Sequence, residues 1–194
     1  MEPSIYGSHK CQMEVVMQAL LDRIQQGAAL IRSRTGMDPI EHLKCRIKSE
    51  DSMREKCRRK GLPETEESAL QAIHDAIGLR VVCSFLDDVY AIHDHIEAQP
   101  DIEIIQEKDY IRHVKPNGYR SYHMIIRMQG YYAEVQIRTI SMDTWAALEH
   151  HIRYKKNISG NMPLIFEELK RCADEFASTD ASMQTIRSMI YEEE

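Results

Sequence analysis

Between residues 9 and 34 the apolar side chains Met13, Val16, Met17, Leu20, Leu21, Ile24 and Ile31 return at every third or fourth position. That period predicts one long amphipathic helix, closed by Gly36 and Pro39. A second helical stretch is expected over the basic residues 44–61, closed by Gly61 and Pro63, and a third, short one over 64–74 with Leu70 and Ile73 turned inward. The period then changes. Residues 79–85, Leu-Arg-Val-Val-Cys-Ser-Phe, form a β-branched, apolar run between Gly78 and Asp87-Asp88, the pattern of a buried strand. Residues 89–98 read as helix, 102–105 as strand, and 122–128 and 131–138 as two strands joined at Gln129-Gly130. Helix returns over 141–155, with Met142, Trp145, Leu148 and Ile152 on one face. The tail 163–194 is a second long, acidic helical region, expected to break near Thr179-Asp180. Helices bracketing a central sheet place the chain in the α+β (mixed α/β) class.

A chain of 194 residues accommodates one domain, or one domain with a helical appendage, and can bury a core. Five scattered cysteines without a Cys-x-x-Cys pair suit a reducing cytosol better than a disulfide frame. No stretch approaches the ~18 apolar residues of a membrane span, and the N-terminus lacks the basic and apolar regions of a signal peptide. The expected location is therefore cytoplasmic, with no membrane partner. Net charge sharpens the picture: residues 44–61 carry eight Lys/Arg against three acids, a local +5, which leaves −11 on the remainder of a chain of net −6. So concentrated a basic block suits a phosphate-rich ligand, although a solvated helix face would show the same composition.

Alternation along 131–138 sends Tyr131, Ala133, Val135 and Ile137 to one face and Tyr132, Glu134, Gln136 and Arg138 to the other. The first face is core; the second lines up a carboxylate, an amide and a guanidinium. The preceding strand puts His123 and Arg127 on one face, and the turn before it holds Lys115, Asn117, Tyr119 and Arg120. Asp75 stands at a helix-to-strand junction, just before Gly78 and Arg80. Asp75 and Glu134 become a candidate magnesium site if polyphosphate is also bound, because Mg²⁺ commonly takes one or two carboxylates plus phosphate oxygens.

Five segments in one order, Asp-Ala-Ile-Gly-Leu-Arg (75–80), Lys-Asp-Tyr-Ile (108–111), Lys-Pro-Asn-Gly-Tyr-Arg-Ser-Tyr-His (115–123), Glu-Val-Gln-Ile-Arg-Thr (134–139) and the run 142–156, resemble the synthetase domain of the RelA/SpoT superfamily, in its small, RelQ-like alarmone synthetase form. The resemblance implies a nucleotidyltransferase-like mixed sheet and a division into an N-terminal helical segment 1–39, a synthetase core 40–156 and a C-terminal helical oligomerisation segment 157–194. It implies transfer of the β,γ-pyrophosphate of ATP to the 3′-hydroxyl of GDP or GTP, with Mg²⁺ as cofactor. Arg46 and Arg80 would flank the adenine; Lys48, Ser52, Lys56 and Arg59 would hold the ATP phosphates. Asp75 would carry the metal, and Glu134 would complete that site or take the acceptor's proton. Tyr119 would stack on guanine, with Lys108, Lys115, Asn117, His123 and Gln136 positioning the acceptor. A homotetramer is implied, with RNA or (p)ppGpp as regulator. The sequence departs from the family pattern at Val114, where relatives carry proline, and in the lead-in 42–45, which lacks the aromatic associated with product binding between subunits.

Three other readings compete. His74-Asp75 and His93-Asp94 suggest a metal-dependent phosphohydrolase, but the further helical ligands are absent and His93-Asp94 reads as a solvated helix face. A relative acting on adenosine nucleotides or tRNA would need basic surface beyond one pocket, whereas residues 162–194 hold eight acids and three bases. A nucleotide-binding scaffold without chemistry would not depend on Asp75 or Glu134.

Overall fold

The alternating and apolar runs pair into one five-stranded sheet in a computed structural model that describes residues 3–153 and 161–192. The strands are β1 (Ile40–Ile47), β2 (Ile77–Cys83), β3 (Glu103–Asp109), β4 (Tyr122–Met128) and β5 (Tyr131–Thr139), in the order β1-β2-β5-β4-β3. Only β2 and β5 run parallel; the other neighbours are antiparallel. The helices are α1 (Lys10–Thr35), α2 (Glu50–Lys60), α3 (Leu86–Glu97), α4 (Ile140–Arg153) and α5 (Met162–Glu192). The expected mixed α+β architecture is thus found.

One sheet face is core. Ile77, Leu79 and Val81 of β2, Met124 and Ile126 of β4, and Ala133, Val135 and Ile137 of β5 are buried with Met13, Val16, Leu20 and Ile24 of α1 and Val89, Ile92 and Ile96 of α3. The N-terminal helix therefore belongs to the same core as the sheet. Helix α5 packs on α4, where the Trp145 indole N–H donates to the Leu169 carbonyl at 2.8 Å. Met142 and Trp145 are buried, while Leu148 and Ile152 stay exposed. The end of the helix expected to reach residue 155, and the core boundary at 156, lie outside the described residues.

Four expectations are corrected. Residues 44–61 are not one helix: 44–47 pair with β2, and the helix starts only after Ser49, whose hydroxyl accepts from the Ser52 N–H. Glu50 and Asp51 then occupy the first turn and Arg58, Arg59 and Lys60 the last, the order a helix dipole favours. Residues 64–74 yield one π-helical turn, Ser68–Ala72, because Ile73 already turns extended. Helix α5 does not break at Thr179-Asp180. Thr179 bonds back to the Glu175 carbonyl within the helix, and Asp180 is buried against the Thr139 hydroxyl at 2.6 Å. His93 is not on a solvated face; it is 8% exposed and turned toward the sheet.

His93 Nδ1 lies 2.8 Å from Asp94 Oδ1 and Nε2 lies 2.6 Å from Glu107 Oε1, an oxygen that also accepts from the Tyr122 hydroxyl. Burial alone would lower the imidazole, but the two carboxylates prevail and hold it above its ordinary value. A raised histidine contributes stability that is complete below the unfolded value near about 6.5 and is lost as pH rises through the folded value. Tyr90, Asp109 and Glu97 also face this region, so the effect must be read as a difference between variants. In chemical denaturation, the stability gap between wild type and His93→Gln is expected to be larger near about pH 6 than near about pH 9.

Candidate active site

The face of the sheet away from the core is organised by register. Lys44, Arg80, Gln136, His123 and Lys108 stand opposite one another across all five strands, forming one transverse row. The adjacent row is Arg46, Gly78, Glu134, Ile125 and Gln106. Strand alternation is what puts both rows on one face. Gly78 leaves the second row open, since a Cβ built there would meet only Arg46 backbone and side-chain atoms at 3.9 and 4.0 Å.

Two clefts lie over these rows. The first, of about 190 Å³, is lined by Arg46, Lys48, Asp75, Arg80, Glu134 and Gln136 around Gly78. The second, of about 220 Å³, is lined by Gln106, Lys108, Tyr110, Lys115, His123 and Glu134. Glu134 faces both. Thus Arg46 and Arg80, expected at a donor site, and Lys108 and His123, expected at an acceptor site, line clefts on opposite sides of one carboxylate, while Gln136, expected with the acceptor, lines the first cleft instead.

Asp75 enters the first cleft from the turn before β2. Its Oδ2 bonds the Lys56 ammonium and lies 3.2 Å from Lys48 Nζ, while its buried Oδ1 has no hydrogen-bond partner. Burial would push this carboxyl up, yet the lysines reverse that and hold it below the usual carboxylate range. Burial likewise pushes Glu134 up and the Asp75 charge adds to that, but contacts from His123 and Gln136 overcome both and lower it. Both acids line the first cleft.

Around the second cleft, Lys115 Nζ lies over the rings of Tyr110 at 4.2 Å and Tyr119 at 4.8 Å. The Tyr119 ring is half-buried among Tyr110, His123 and Trp145, and its hydroxyl is 2.8 Å from His123 Nε2. The turn is held from behind. Gly118 adopts φ +89, Asn117 Oδ1 accepts from the Tyr119 N–H, and Arg120 donates to the Gly118 and Ala173 carbonyls and to Asp174.

Not every expected residue reaches a cleft wall. Lys56 serves Asp75, Asn117 is engaged in its own turn, and the Ser52 hydroxyl lies 2.9 Å from that of Ser49. Arg59 is exposed on the last turn of α2 and makes no ion pair among the described residues. The sequence reading missed Lys44 and Tyr110, which line the clefts, and Asp143, whose oxygens lie 3.4 to 3.6 Å from Arg138, Arg80 and His42. Alternation could have flagged Lys44 and the family segment 108–111 contained Tyr110. Nothing local signals Asp143, whose partners Arg80 and His42 are distant in sequence, with Arg138 five residues before it.

The chain is similar to known proteins in both sequence and fold. The model of the region found in RelA and SpoT proteins matches residues 45–159. The GTP pyrophosphokinase YwaC of Bacillus subtilis is 42% identical over 164 residues, covering 80% of this chain and 77% of its own; the GTP pyrophosphokinase YjbM of the same organism is 34% identical over 163 residues, covering 79% and 75%. Among solved structures, small alarmone synthetase 2 of B. subtilis superposes with TM-score 0.74 at 38% identity, covering 90% of this chain and 97% of that one. Small alarmone synthetase 1, bound to its product pppGpp, gives TM-score 0.77 at 30% identity, covering 92% and 94%.

Fastening of the tyrosine-bearing turn to α5 has a direct test at Gly118. A Cβ there would lie 2.6 Å from Ala173 Cβ and 3.3 Å from Lys170 Cα, at a backbone angle that side chains resist. Gly118→Ala is expected to cost about 1–3 kcal/mol, read as a lowered denaturation midpoint, whereas Gly130→Ala, with nothing within 4 Å, should cost less.

Proposed function

The chain belongs to the RelA/SpoT family, and on that footing we propose that it is a GTP pyrophosphokinase, a small alarmone synthetase that moves the β,γ-pyrophosphate of ATP onto the 3′-hydroxyl of GDP or GTP. The observation that carries this reading is Glu134 standing between two clefts of different character. The first offers two guanidinium planes and lysines, suited to a flat base bearing phosphates. The second offers Tyr110 with Lys108, Lys115 and His123, and Tyr119 beside them against Tyr110 and Lys115, a set suited to a second nucleotide.

In this reaction the acceptor's 3′-oxygen attacks the β-phosphorus of ATP, the bond from that phosphorus to the α,β-bridging oxygen breaks, and AMP leaves with that oxygen. Glu134, adjoining both clefts, takes the hydroxyl proton. Arg46 and Arg80 flank the adenine, while Lys48 and Lys56 exchange Asp75 for donor phosphates, with Ser52 and Arg59 at the outer end of the polyphosphate. Tyr119 offers its ring to guanine beside Lys115, and Asn117 shapes the turn that presents it. The unpartnered, buried Oδ1 of Asp75 fits a divalent cation; Mg²⁺ held by Asp75, with Glu134 across the cleft, would supply charge neutralisation at the donor phosphates. Catalysis then rests mainly on alignment and electrostatic relief.

We also read the protein as a cytoplasmic homotetramer. All five cysteines are free, no described helix is long and apolar enough to cross a membrane, and α5 leaves Leu164, Met183, Ile186, Met189 and Ile190 exposed. An apolar row of that kind favours a second copy. Ile186→Glu is expected to lower the mass measured by sedimentation; an unchanged mass argues against this face.

Incubation with labelled ATP, GDP or GTP and Mg²⁺ is expected to move label onto the guanosine nucleotide and to stop when the metal is chelated. A folded protein that labels no guanosine nucleotide, or that prefers ADP, AMP or tRNA, overturns the reading. Repeating it with RNA or (p)ppGpp added reads regulation. Asp75→Ala should lower turnover by at least ~100-fold, whereas Tyr119→Ala should mainly raise the acceptor KM, by about tenfold, the size of one stacking contact.

A further inference from the structure

Arg138 is 3% exposed, although it shares a strand face with Glu134 and Gln136, which open into the clefts. One terminal nitrogen, Nη2, meets two acceptors: Gln136 Oε1 at 2.5 Å and the Tyr119 hydroxyl at 3.3 Å. A guanidinium only donates, so Gln136 Oε1 and the Tyr119 oxygen are both acceptors toward it. Gln136, accepting on Oε1, presents its amide Nε2–H to Glu134 Oε2 at 3.0 Å. The Tyr119 hydroxyl, accepting from Arg138, has its own hydrogen left for His123 Nε2 at 2.8 Å. With Nε2 an acceptor, the ring hydrogen sits on Nδ1, which lies 3.4 Å from Glu134 Oε1. Two arms leave one nitrogen and end at the two oxygens of one carboxylate, one through the Gln136 amide bond and one through the His123 ring at ion-pair distance. The other terminal nitrogen is held 3.4 Å from Asp143, and the guanidinium lies over the Tyr119 ring at 5.7 Å.

We propose that Arg138 is a positioning residue that sets the direction of both hydrogen-bond arms, holding His123 in its Nδ1–H tautomer and each oxygen of Glu134 toward a donor. The proposal rests on the reading of Glu134 as proton acceptor. A carboxylate torsion is broad and two-fold when unrestrained; with one donor per oxygen it is pinned, and each oxygen keeps a further lone pair for the substrate hydroxyl. The rival account is an ion pair with Asp143 that only stabilises the fold, in which case the Tyr119 hydroxyl is irrelevant to His123.

The test uses the full chain with ¹⁵N-labelled histidine and no nucleotide, the His123 signals being assigned from a His123→Gln variant. Wild type is expected to show the Nδ1–H tautomer; Arg138→Met and Tyr119→Phe should each lose it, while Asp143→Asn, which leaves both arms intact, should retain it. In turnover, the first two should lose kcat by ~10–100-fold, the range typical of supporting contacts, with the KM of each nucleotide changed by less than about threefold. An Nε2–H tautomer in wild type overturns the proposal, as does a Tyr119→Phe protein with unaltered tautomer and kcat. Equal loss of the tautomer in Asp143→Asn would assign Arg138 a structural role instead. Should Arg138→Met not fold, Tyr119→Phe still decides, since it cuts one arm with a near-isosteric ring. If wild type transfers no label, the reaction is wrong, and the tautomer measurement still judges the relay by itself.

Discussion

The parallel pairing of β2 with β5 is the constraint on which the rest of the site depends. Its register sets Gly78 against Glu134 and Arg80 against Gln136, and the antiparallel neighbours on either side extend those pairs into two rows across the sheet. A slip of one residue would turn Glu134 and Gln136 into the core and Ala133, Val135 and Ile137 toward the clefts. The three apolar residues are at most 1% exposed, so the core enforces the register of the chemistry. Parallel pairing also needs a crossover, and here the intervening chain contains α3, β3, the tyrosine turn and β4, which becomes the wall of the second cleft.

Electrostatics makes the two clefts unlike each other. Lys48 and Lys56 converge on one oxygen of Asp75, so a single carboxylate offsets only part of the positive charge of the first cleft. A polyphosphate can replace that carboxylate as the lysines' partner and free Asp75 for a cation, with no charge left unpaired in a half-buried place. On the other side the positive charge of Lys115 rests on aromatic faces, and the turn that carries it is tied to α5 by Arg120. The C-terminal helix, which also receives Trp145 and Thr139, therefore holds the tyrosine-bearing turn as well as the end of β5 and α4.

Much of this was legible in the sequence. Period two along 131–138 separated core from cleft on β5, and burial follows it from Ala133 to Ile137, Arg138 being the exception, buried on the cleft face. The long terminal helices and the strand after Gly78 were legible for the same reason, a sustained apolar period. The strand at 40–47 was not, because its residues are half-buried or exposed and basic, so neither period shows; pairing with β2 overrides the local pattern. Strand β3 was seen only at its apolar start, since its charged second half is an edge held by β4 alone. Proximity across the fold was beyond reach altogether: Lys56 to Asp75, Asp143 to Arg80, and His93 to Glu107 are products of packing, not of spacing.

The placement of the two acids separates their duties. Asp75 lies in a turn outside the ladder, paired with lysines from β1's end and from α2, where its partners can be exchanged without disturbing the sheet. Glu134 lies in mid-strand, flanked by β2 and β4 and bracketed by Gln136 and His123. A group that must meet a hydroxyl at one geometry belongs on a rigid strand, whereas one that trades ammonium for cation and phosphate belongs on a yielding turn. The buried guanidinium of Arg138 belongs to the rigid part: its desolvation is a standing cost, set against its contacts with Gln136, the Tyr119 hydroxyl and Asp143.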